Sequence, residues 1–271
     1  MTNTFFLCLN IHKFEALVRH FLELMETYFG ITYCFDKNYI HSYIDQLVFS
    51  NQKGYICVAD GVSLSTSYKN KEFSKVISDS SLTICDSGWV PLYLRLLYGI
   101  RREQYSGSDF LENIVNQKKY NLMFIGASED ILSALQNNLS KVDERIASMP
   151  FIPLPYKSVS DFDYEQIAEQ IMAFNPDIIF VSLGMPKQEL FMHNLLPYLK
   201  RGVLVGVGAA FKFHSGLATQ KRAPAWMIKA KMEWMHRIFS EPNKQLKRCS
   251  LILGTMPFIF WKELKVRKHS K

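Results

Sequence analysis

The sequence has few cysteines, no long apolar run and no dinucleotide-binding glycine pattern. Its five cysteines are scattered without a CxxC pair, which supports neither a zinc site nor a disulfide framework and fits a reducing compartment. No stretch approaches the roughly 20 apolar residues of a membrane span. The short apolar run over residues 5–9 lacks the flanks of a signal peptide. The absence of GxGxxG argues against an NAD-dependent oxidoreductase, and no histidine pair has the spacing of metal ligands.

Positive charge is concentrated towards the C-terminus. Residues 221–271 contain 13 of the 32 Lys and Arg residues but only 3 of the 25 Asp and Glu residues. This segment therefore carries a formal charge of +10 and the rest of the chain −3, for a total of +7. A basic segment on a mildly acidic body indicates an anionic partner, such as a membrane surface, a nucleic acid or a phosphorylated substrate.

Short apolar runs alternate with segments of helical length. A helix is predicted over residues 12–28, where apolar residues recur at helical spacing. Strands are predicted over residues 55–58, 82–85, 121–126, 177–184 and 203–208. Four more helices are predicted over residues 88–98, 129–140, 162–174 and 187–200. This alternation predicts an α/β fold, with a Rossmann-like, largely parallel sheet covered by helices on both faces.

Three predicted strands end in residues that suit a binding site. Asp86 follows the second strand, Gly126 closes the third and Gly184 closes the fourth. Ligands of such folds bind at the carboxyl ends of strands, and glycine lets backbone amides approach an anion such as a diphosphate. An ordinary turn is the alternative at each position.

The basic C-terminal segment has its own pattern. Pro224 opens a predicted helix with an apolar stripe, and Pro242 interrupts it. Residues 249–261 are uncharged, rich in aromatic residues and flanked by lysines and arginines. This stretch is too short to span a bilayer but suits an anionic membrane surface. The alternatives are a helix packed on the core and a face buried in a homo-oligomer. Nucleic-acid binding is disfavoured because no reader motif is present.

Five motifs occur in one order from the end of the fourth predicted strand into the C-terminal segment. They are Gly184-Met-Pro-Lys-Gln-Glu189, Val205-Gly-Val-Gly-Ala-Ala-Phe211, Lys221-Arg-Ala-Pro-Ala-Trp226, Glu233-Trp-Met-His-Arg237 and Glu241-Pro242. In this order and approximate spacing they resemble the motifs of the WecG/TagA/CpsF family of bacterial glycosyltransferases, glycosyltransferase family 26. The resemblance covers roughly residues 31–250.

The resemblance implies an inverting, UDP-sugar-dependent hexosyltransferase. Such an enzyme moves N-acetylmannosamine or a related hexose or uronate to a polyprenyl-diphosphate-linked acceptor, during synthesis of cell-surface polysaccharides such as capsule or exopolysaccharide. The resemblance also implies that no metal or other cofactor is needed. It places the protein in the cytoplasm, peripheral on the inner face of the plasma membrane. The alternative is a degenerate Rossmann-like protein that binds a UDP-sugar without transferring it.

The resemblance also assigns residues of the body to the site. Asp86 matches the proposed catalytic base of the family, and an inverting transfer needs a carboxylate to take the acceptor's proton; a helix N-cap is the alternative. Thr66 and Tyr68 match a T-x-N motif of the donor pocket, with Tyr68 in place of Asn. Gln104 stands where the family has Arg, and Gln188 matches a substrate-binding Gln.

The C-terminal segment is expected to offset the charge of the leaving diphosphate. Arg237 matches the family directly, Lys244 and Lys247 stand where Arg is common, and Arg222 is either structural or phosphate-binding. Lysine lacks the bidentate fork of arginine, and a solvated or lipid-facing charge is the alternative for both lysines.

The chain is predicted to have three parts. They are an N-terminal extension of unclear role over 1–24, a nucleotide-sugar transferase domain over 25–220 and a basic membrane-associating appendage over 221–271.

Overall fold

A computed structural model describes residues 24–217, residue 227 and residues 242–269 of the chain. Within them, eight strands form one sheet: β1 (Met25–Tyr28), β2 (Ile31–Cys34), β3 (Lys53–Ala59), β4 (Leu82–Cys85), β5 (Leu122–Gly126), β6 (Phe151–Ile152), β7 (Ile178–Ser182) and β8 (Gly202–Gly206). Across the sheet the order is β1-β2-β4-β3-β8-β7-β5-β6. Every neighbouring pair is parallel except β1–β2, which confirms the predicted, largely parallel sheet.

Helices cover both faces of the sheet. In chain order they are α1 (Lys37–Phe49), α2 (Gly61–Lys69), α3 (Lys71–Ser78), α4 (Trp89–Tyr98), α5 (Gly107–Gln117), α6 (Glu129–Leu139), α7 (Tyr164–Phe174), α8 (Lys187–Leu195), α9 (Ala210–Ser215) and α10 (Pro242–His269). Helices α1, α5, α6 and α9 form the first layer. Helices α2, α3, α4, α7, α8 and α10 form the second layer.

The central strands are apolar on both sides because both sides are covered. In β3, Ile56 and Val58 pack into the first layer, whereas Tyr55 and Cys57 pack into the second. Successive side chains of a strand point to opposite faces, so a strand between two helical layers needs apolar residues at every position. This explains why β3, β5, β7 and β8 read as continuous apolar runs in the sequence.

The predicted helix over residues 12–28 is wrong at its C-terminal end. Residues 25–28 form β1, which pairs antiparallel with β2, and residues 12–23 lie outside the described residues. Phe29 and Gly30 turn this hairpin with φ values of 56° and 80°, the left-handed conformation that tight two-residue turns use. A strand of four residues is too short for its alternating pattern to stand out against a helical pattern.

The other strands and helices predicted between residues 55 and 208 are present, with bounds that shift by a few residues. Of the helix predicted to open at Pro224, residues 224–226 and 228–241 lie outside the described residues. The largest difference is in the helix predicted over 187–200, which ends at Leu195 as α8. A short 3₁₀ turn over Leu196–Tyr198 follows it. Pro197 lies in this turn and has no backbone N–H, so it cannot continue the hydrogen-bonding pattern of an α-helix.

Several pairs of neighbouring strands send their following helices to opposite layers, and two of these pairs near the middle of the sheet are described here. Strand β5 is followed by α6 in the first layer, and its neighbour β7 by α8 in the second. In the same way β3 leads into α2 in the second layer, and its neighbour β8 into α9 in the first. Where adjacent strands diverge in this way, a crevice opens beyond their carboxyl ends, and ligands of α/β folds bind there.

The C-terminal helix α10 packs on the second layer through buried polar contacts. Thr255 Oγ1 donates to Ser65 Oγ of α2 at 2.7 Å. The carboxylate of Glu263 accepts from the backbone N–H of Phe29 at 2.8 Å and from the hydroxyl of Tyr98 at 2.6 Å. These bonds attach α10 to α2, α4 and the β1–β2 hairpin. None of the helices in the described part of the chain combines the length and apolar character needed to cross a membrane.

The close approach of β5 and β7 predicts that Gly126 tolerates no side chain. In Gly126→Ala the new Cβ would lie 2.5 Å from the carbonyl oxygen of Ser182, a backbone atom that cannot easily move. Gly99→Ala is the matched control, because Gly99 also has a positive φ (72° against 97°) but no atom within 4 Å of the added Cβ. We expect G126A to lower the free energy of unfolding in urea by about 1–3 kcal/mol more than G99A. Equal losses in the two variants would contradict this packing.

Candidate active site

The carboxyl ends of five neighbouring strands meet at one edge of the sheet. Asp86, Asp60, Gly208, Gly184 and Gly126 lie at or just after the ends of β4, β3, β8, β7 and β5, in that order across the sheet. The fold therefore brings three predicted positions, at Asp86, Gly126 and Gly184, to a common edge. Both crevices described above open along this edge, which makes it the candidate site.

Asp86 lies at the end of β4 and is half-buried. Its backbone N–H donates to the carbonyl oxygen of Ala59, the last residue of β3, at 2.9 Å. The N-cap position of α4 falls on Gly88, and the Oγ of Ser87 accepts from the backbone N–H of Trp89 at 3.3 Å. Asp86 is therefore not the N-cap of α4. Its role as a catalytic base stays a prediction.

Asp60 is the functional candidate that the sequence analysis missed. One carboxylate oxygen caps α2 by accepting from the backbone N–H groups of Val62 and Ser63, each at 2.9 Å. The other oxygen forms an ion pair with Arg248 of α10. The signal was present in the sequence, because Asp60 follows an apolar strand and precedes a glycine, much as Asp86 does.

Gln188 links the turns that follow β7 and β8. Its side chain is 3% exposed. Its Oε1 accepts from the backbone N–H of Gly208 at 3.0 Å, and its Nε2 donates to Glu189 at 2.8 Å. The carbonyl oxygen of Gly208 in turn accepts from Ser182 Oγ at 2.7 Å. These bonds hold the two turns in a fixed relation to each other. The substrate-binding role predicted for Gln188 stays a prediction.

Glu189 is a buried acid directly behind the strand ends. The residue is 1% exposed, and its Oε2 has no hydrogen-bond partner among the described residues. Burial raises the pKa of Glu189 to about 7. The nearby charge of Asp60 contributes to this rise in the pKa, whereas the hydrogen bond from Gln188 and the charge of Arg248 oppose it. Near neutral pH the protonated and ionised forms of Glu189 are therefore both populated.

Two helices begin at this edge with different charges. Helix α6 begins with Glu129 and Asp130, whose carboxylates already complement the positive end of the helix dipole. Helix α8 begins with Lys187, which adds a cation to that positive end, and the acid in its first turn is the buried Glu189. The Nζ of Lys187 lies 4.9 Å from the ring centre of Tyr156, an aromatic side chain that is fully exposed. The start of α8 therefore favours an anion more than the start of α6 does.

Thr66 and Tyr68 lie further along the chain from the end of β3 than Asp60 does. They lie in α2 beyond its first turn, as the helix leads away from β3, and Tyr68 is 46% exposed. Gln104, in contrast, precedes Tyr105, whose backbone N–H donates to the carbonyl oxygen of Cys85 at 2.8 Å. This bond keeps Gln104 next to the end of β4. The substrate contacts assigned to Thr66, Tyr68 and Gln104 stay predictions.

The predicted cations of the C-terminal segment are only partly described. Lys247 is exposed near the start of α10, next to Arg248. Arg222 and Arg237 lie outside the described residues, as does the side chain of Lys244. Their roles towards a diphosphate stay predictions. Within residues 24–217, 227 and 242–269, no group of three or more His, Cys, Asp or Glu side chains is placed to hold a metal ion.

The raised pKa of Glu189 predicts a specific pH dependence of stability. The unfolded chain loses this proton near 4.5, whereas the folded protein keeps it up to about pH 7. Stability should therefore fall as the pH rises from 4.5 to 7, by up to roughly 3 kcal/mol at 1.36 kcal/mol per pKa unit. Glu189→Gln removes the titration but keeps an acceptor for Gln188. In urea unfolding at pH 5 and pH 7.5, we expect wild type to lose stability relative to E189Q. Parallel pH profiles would contradict the burial of a protonated acid.

Comparison with known proteins identifies the family. The model of the glycosyl transferase WecG/TagA/CpsF family matches residues 29–271. Three relatives are named N-acetylglucosaminyldiphosphoundecaprenol N-acetyl-beta-D-mannosaminyltransferase. The protein of Bacillus subtilis strain 168 is 29% identical over 225 residues, which is 79% of this chain and 85% of that protein. The protein of Bacillus spizizenii is 26% identical over 214 residues, which is 78% of this chain and 79% of that protein. The protein of Staphylococcus aureus strain MW2 is 28% identical over 157 residues, which is 58% of this chain and 56% of that protein.

The family match includes every strand end of the candidate site as well as α10. The motifs that first indicated the resemblance lie in the turns after β7 and β8 and in the C-terminal segment. The chain is a glycosyltransferase and belongs to the WecG/TagA/CpsF family.

Proposed function

We propose that this enzyme transfers N-acetylmannosamine, or a related hexose or uronate, from a UDP-sugar to a polyprenyl-diphosphate-linked acceptor, with inversion at the anomeric carbon. The names of the relatives support an acceptor of this class and a sugar of this type. The observation that carries the proposal is the sheet edge at which Asp60 and Asp86 follow neighbouring strands and Arg248 of α10 pairs with Asp60. The product would serve bacterial cell-surface polysaccharide synthesis.

In the proposed reaction Asp86 acts on the acceptor. Its carboxylate takes the proton of the acceptor hydroxyl as that oxygen attacks the anomeric carbon of the donor. The bond from the anomeric carbon to the diphosphate breaks on the opposite side, and UDP leaves with the electron pair. One displacement at one carbon gives inversion. Asp86 ends the step as a carboxylic acid.

Cations around the strand ends would stabilise the leaving diphosphate. Lys187 begins α8, and Lys247 lies near the start of α10. Arg237 and Lys244 are proposed to join them, as the family motifs suggest. Fixed positive charges of this kind act on the charge that develops as UDP leaves, and they act most strongly where water is excluded.

The outer face of α10 supports docking on an anionic membrane surface. Five apolar side chains of this helix are more than half exposed: Leu246 at 57%, Leu253 at 74%, Phe258 at 59%, Trp261 at 59% and Val266 at 53%. Exposed lysines flank them, and Lys265 Nζ lies 3.4 Å from the ring centre of Trp261. Aromatic side chains beside lysines suit the headgroup region of a bilayer.

We propose a cytoplasmic enzyme that is peripheral on the inner face of the plasma membrane. Its parts would be an N-terminal extension over 1–24, a transferase domain over 25–220 and a membrane appendage over 221–271.

Sugar transfer is the direct test of the reaction. The full chain is incubated with a panel of UDP-sugars and a short-chain lipid-diphosphate acceptor, and products are identified by mass spectrometry. We expect transfer by wild type and a loss of roughly 10²- to 10⁴-fold in Asp86→Asn, because the general base is removed. Asp79→Asn, an exposed acid at the opposite end of β4, is the matched control and should keep full activity. Full activity in D86N would exclude Asp86 as the base, and UDP binding without any transfer would favour the degenerate binding protein.

Membrane docking has a separate test. Replacing Phe258 and Trp261 together by Ser should lower sedimentation with phosphatidylglycerol-containing liposomes by roughly tenfold or more, because two large apolar side chains lose their contact with lipid. Phe49→Ser is the matched control, since Phe49 is 90% exposed at the end of α1, away from α10. Equal sedimentation of all three proteins would contradict docking through this face.

A further inference from the structure

One ion pair joins the strand ends to the C-terminal helix. Arg248 of α10 contacts Asp60 through Nη2 and Oδ2. The two side chains keep 26% and 25% of their accessible surface, so the pair is partly shielded from water. The other carboxylate oxygen of Asp60 caps α2, so this carboxylate is held from two sides. Arg248 is not among the cations that the family motifs assign to the diphosphate.

Packing places Arg248 on Asp60. A Cβ at Gly61 would lie 3.3 Å from Cδ1 of Ile252, so the glycine lets α10 come close to the start of α2. The bond between Thr255 and Ser65 fixes the same side of α10 further along the helix. The guanidinium group is therefore committed to Asp60 when α10 is docked.

Without Arg248 the carboxylate of Asp60 would have no ion-pair partner among the described residues at the strand ends. Asp60 and Asp86 follow neighbouring strands, and the backbone N–H of Asp86 bonds to the residue before Asp60. Glu189 lies close enough to both members of the ion pair for the charge of Asp60 to raise its pKa and the charge of Arg248 to lower it. A donor that carries a diphosphate is itself anionic, so an unpaired Asp60 would repel it.

We propose that Arg248 is a positioning residue that neutralises Asp60 and thereby makes binding of the diphosphate-bearing donor depend on docking of α10. The inference rests on the proposed function, and it gives Arg248 a task different from direct contact with the phosphates. Once α10 leaves the body, the strand ends regain the charge of Asp60 and the donor is disfavoured. Donor binding is then coupled to the helix whose outer face is proposed to contact the membrane.

The test measures binding of UDP and of uridine to the full chain by calorimetry, without acceptor. In Arg248→Gln the Kd for UDP should rise roughly tenfold, the effect of one partly screened unit charge. The Kd for uridine, which is uncharged, should not change. The double variant D60N/R248Q should restore the UDP affinity of wild type, because the introduced amide removes the repulsive charge while its oxygen still caps α2. Lys75→Gln, an exposed lysine of α3, is the matched charge control and should bind UDP as wild type does.

Three results would overturn the proposal. Equal weakening of UDP and uridine in R248Q would mean a structural role. A double variant as weak as R248Q would mean that Arg248 contacts the diphosphate itself. Wild-type affinity in R248Q would mean that the pair has no influence on the donor. A wild-type chain that binds UDP with this charge pattern but transfers no sugar would instead count against the proposed function, and a chain that binds no UDP would overturn both.

Discussion

Parallel hydrogen bonding between β4, β3, β8, β7 and β5 is the constraint on which the site depends. Parallel strands start at one edge of the sheet and end at the other, so the residues after all five strands meet at one edge. The middle of each strand lies between two helical layers and admits only apolar side chains. Polar and acidic groups such as Asp60 and Asp86 therefore gather where the strands end. Within the sheet, the strand ends are therefore the place where polar catalytic groups can lie.

Charge is divided unequally between the body of the chain and its C-terminal segment. The body supplies the acids at the strand ends, and the C-terminal segment carries the excess of positive charge. Arg248 and Asp60 form a direct ion pair between the two. The positive charge of the C-terminal segment is thus partly directed inward, at the body, and partly outward, through lysines beside exposed aromatic side chains. Helix α10 carries the inward-facing and the outward-facing positive charges, because one of its faces packs on the body and the other is exposed.

The elements that were predictable are those whose pattern is local. Strands such as β7 read as apolar runs because both their faces are buried, and the glycine turns after β5 and β7 follow directly from the sequence. The hairpin of β1 and β2 was missed because its strands have four residues each. Helices α1, α2, α3, α5 and α9 and strand β6 were not assigned from the sequence either. The pair between Asp60 and Arg248 joins residues 188 positions apart, and no local pattern encodes such a contact. The motif match of Thr66 and Tyr68 likewise did not reveal that both residues lie in α2 beyond its first turn.

The bond between Glu263 and the backbone of Phe29 joins parts of the chain that are 234 residues apart. During synthesis the hairpin leaves the ribosome long before Glu263 is made, and the sheet has time to form in between. Until then the backbone N–H of Phe29 in the hairpin turn lacks its partner Glu263 and is exposed to water. The body has to be stable without α10 during this interval. Docking of α10 is then among the last steps of folding, and it covers a surface that the rest of the protein has already completed.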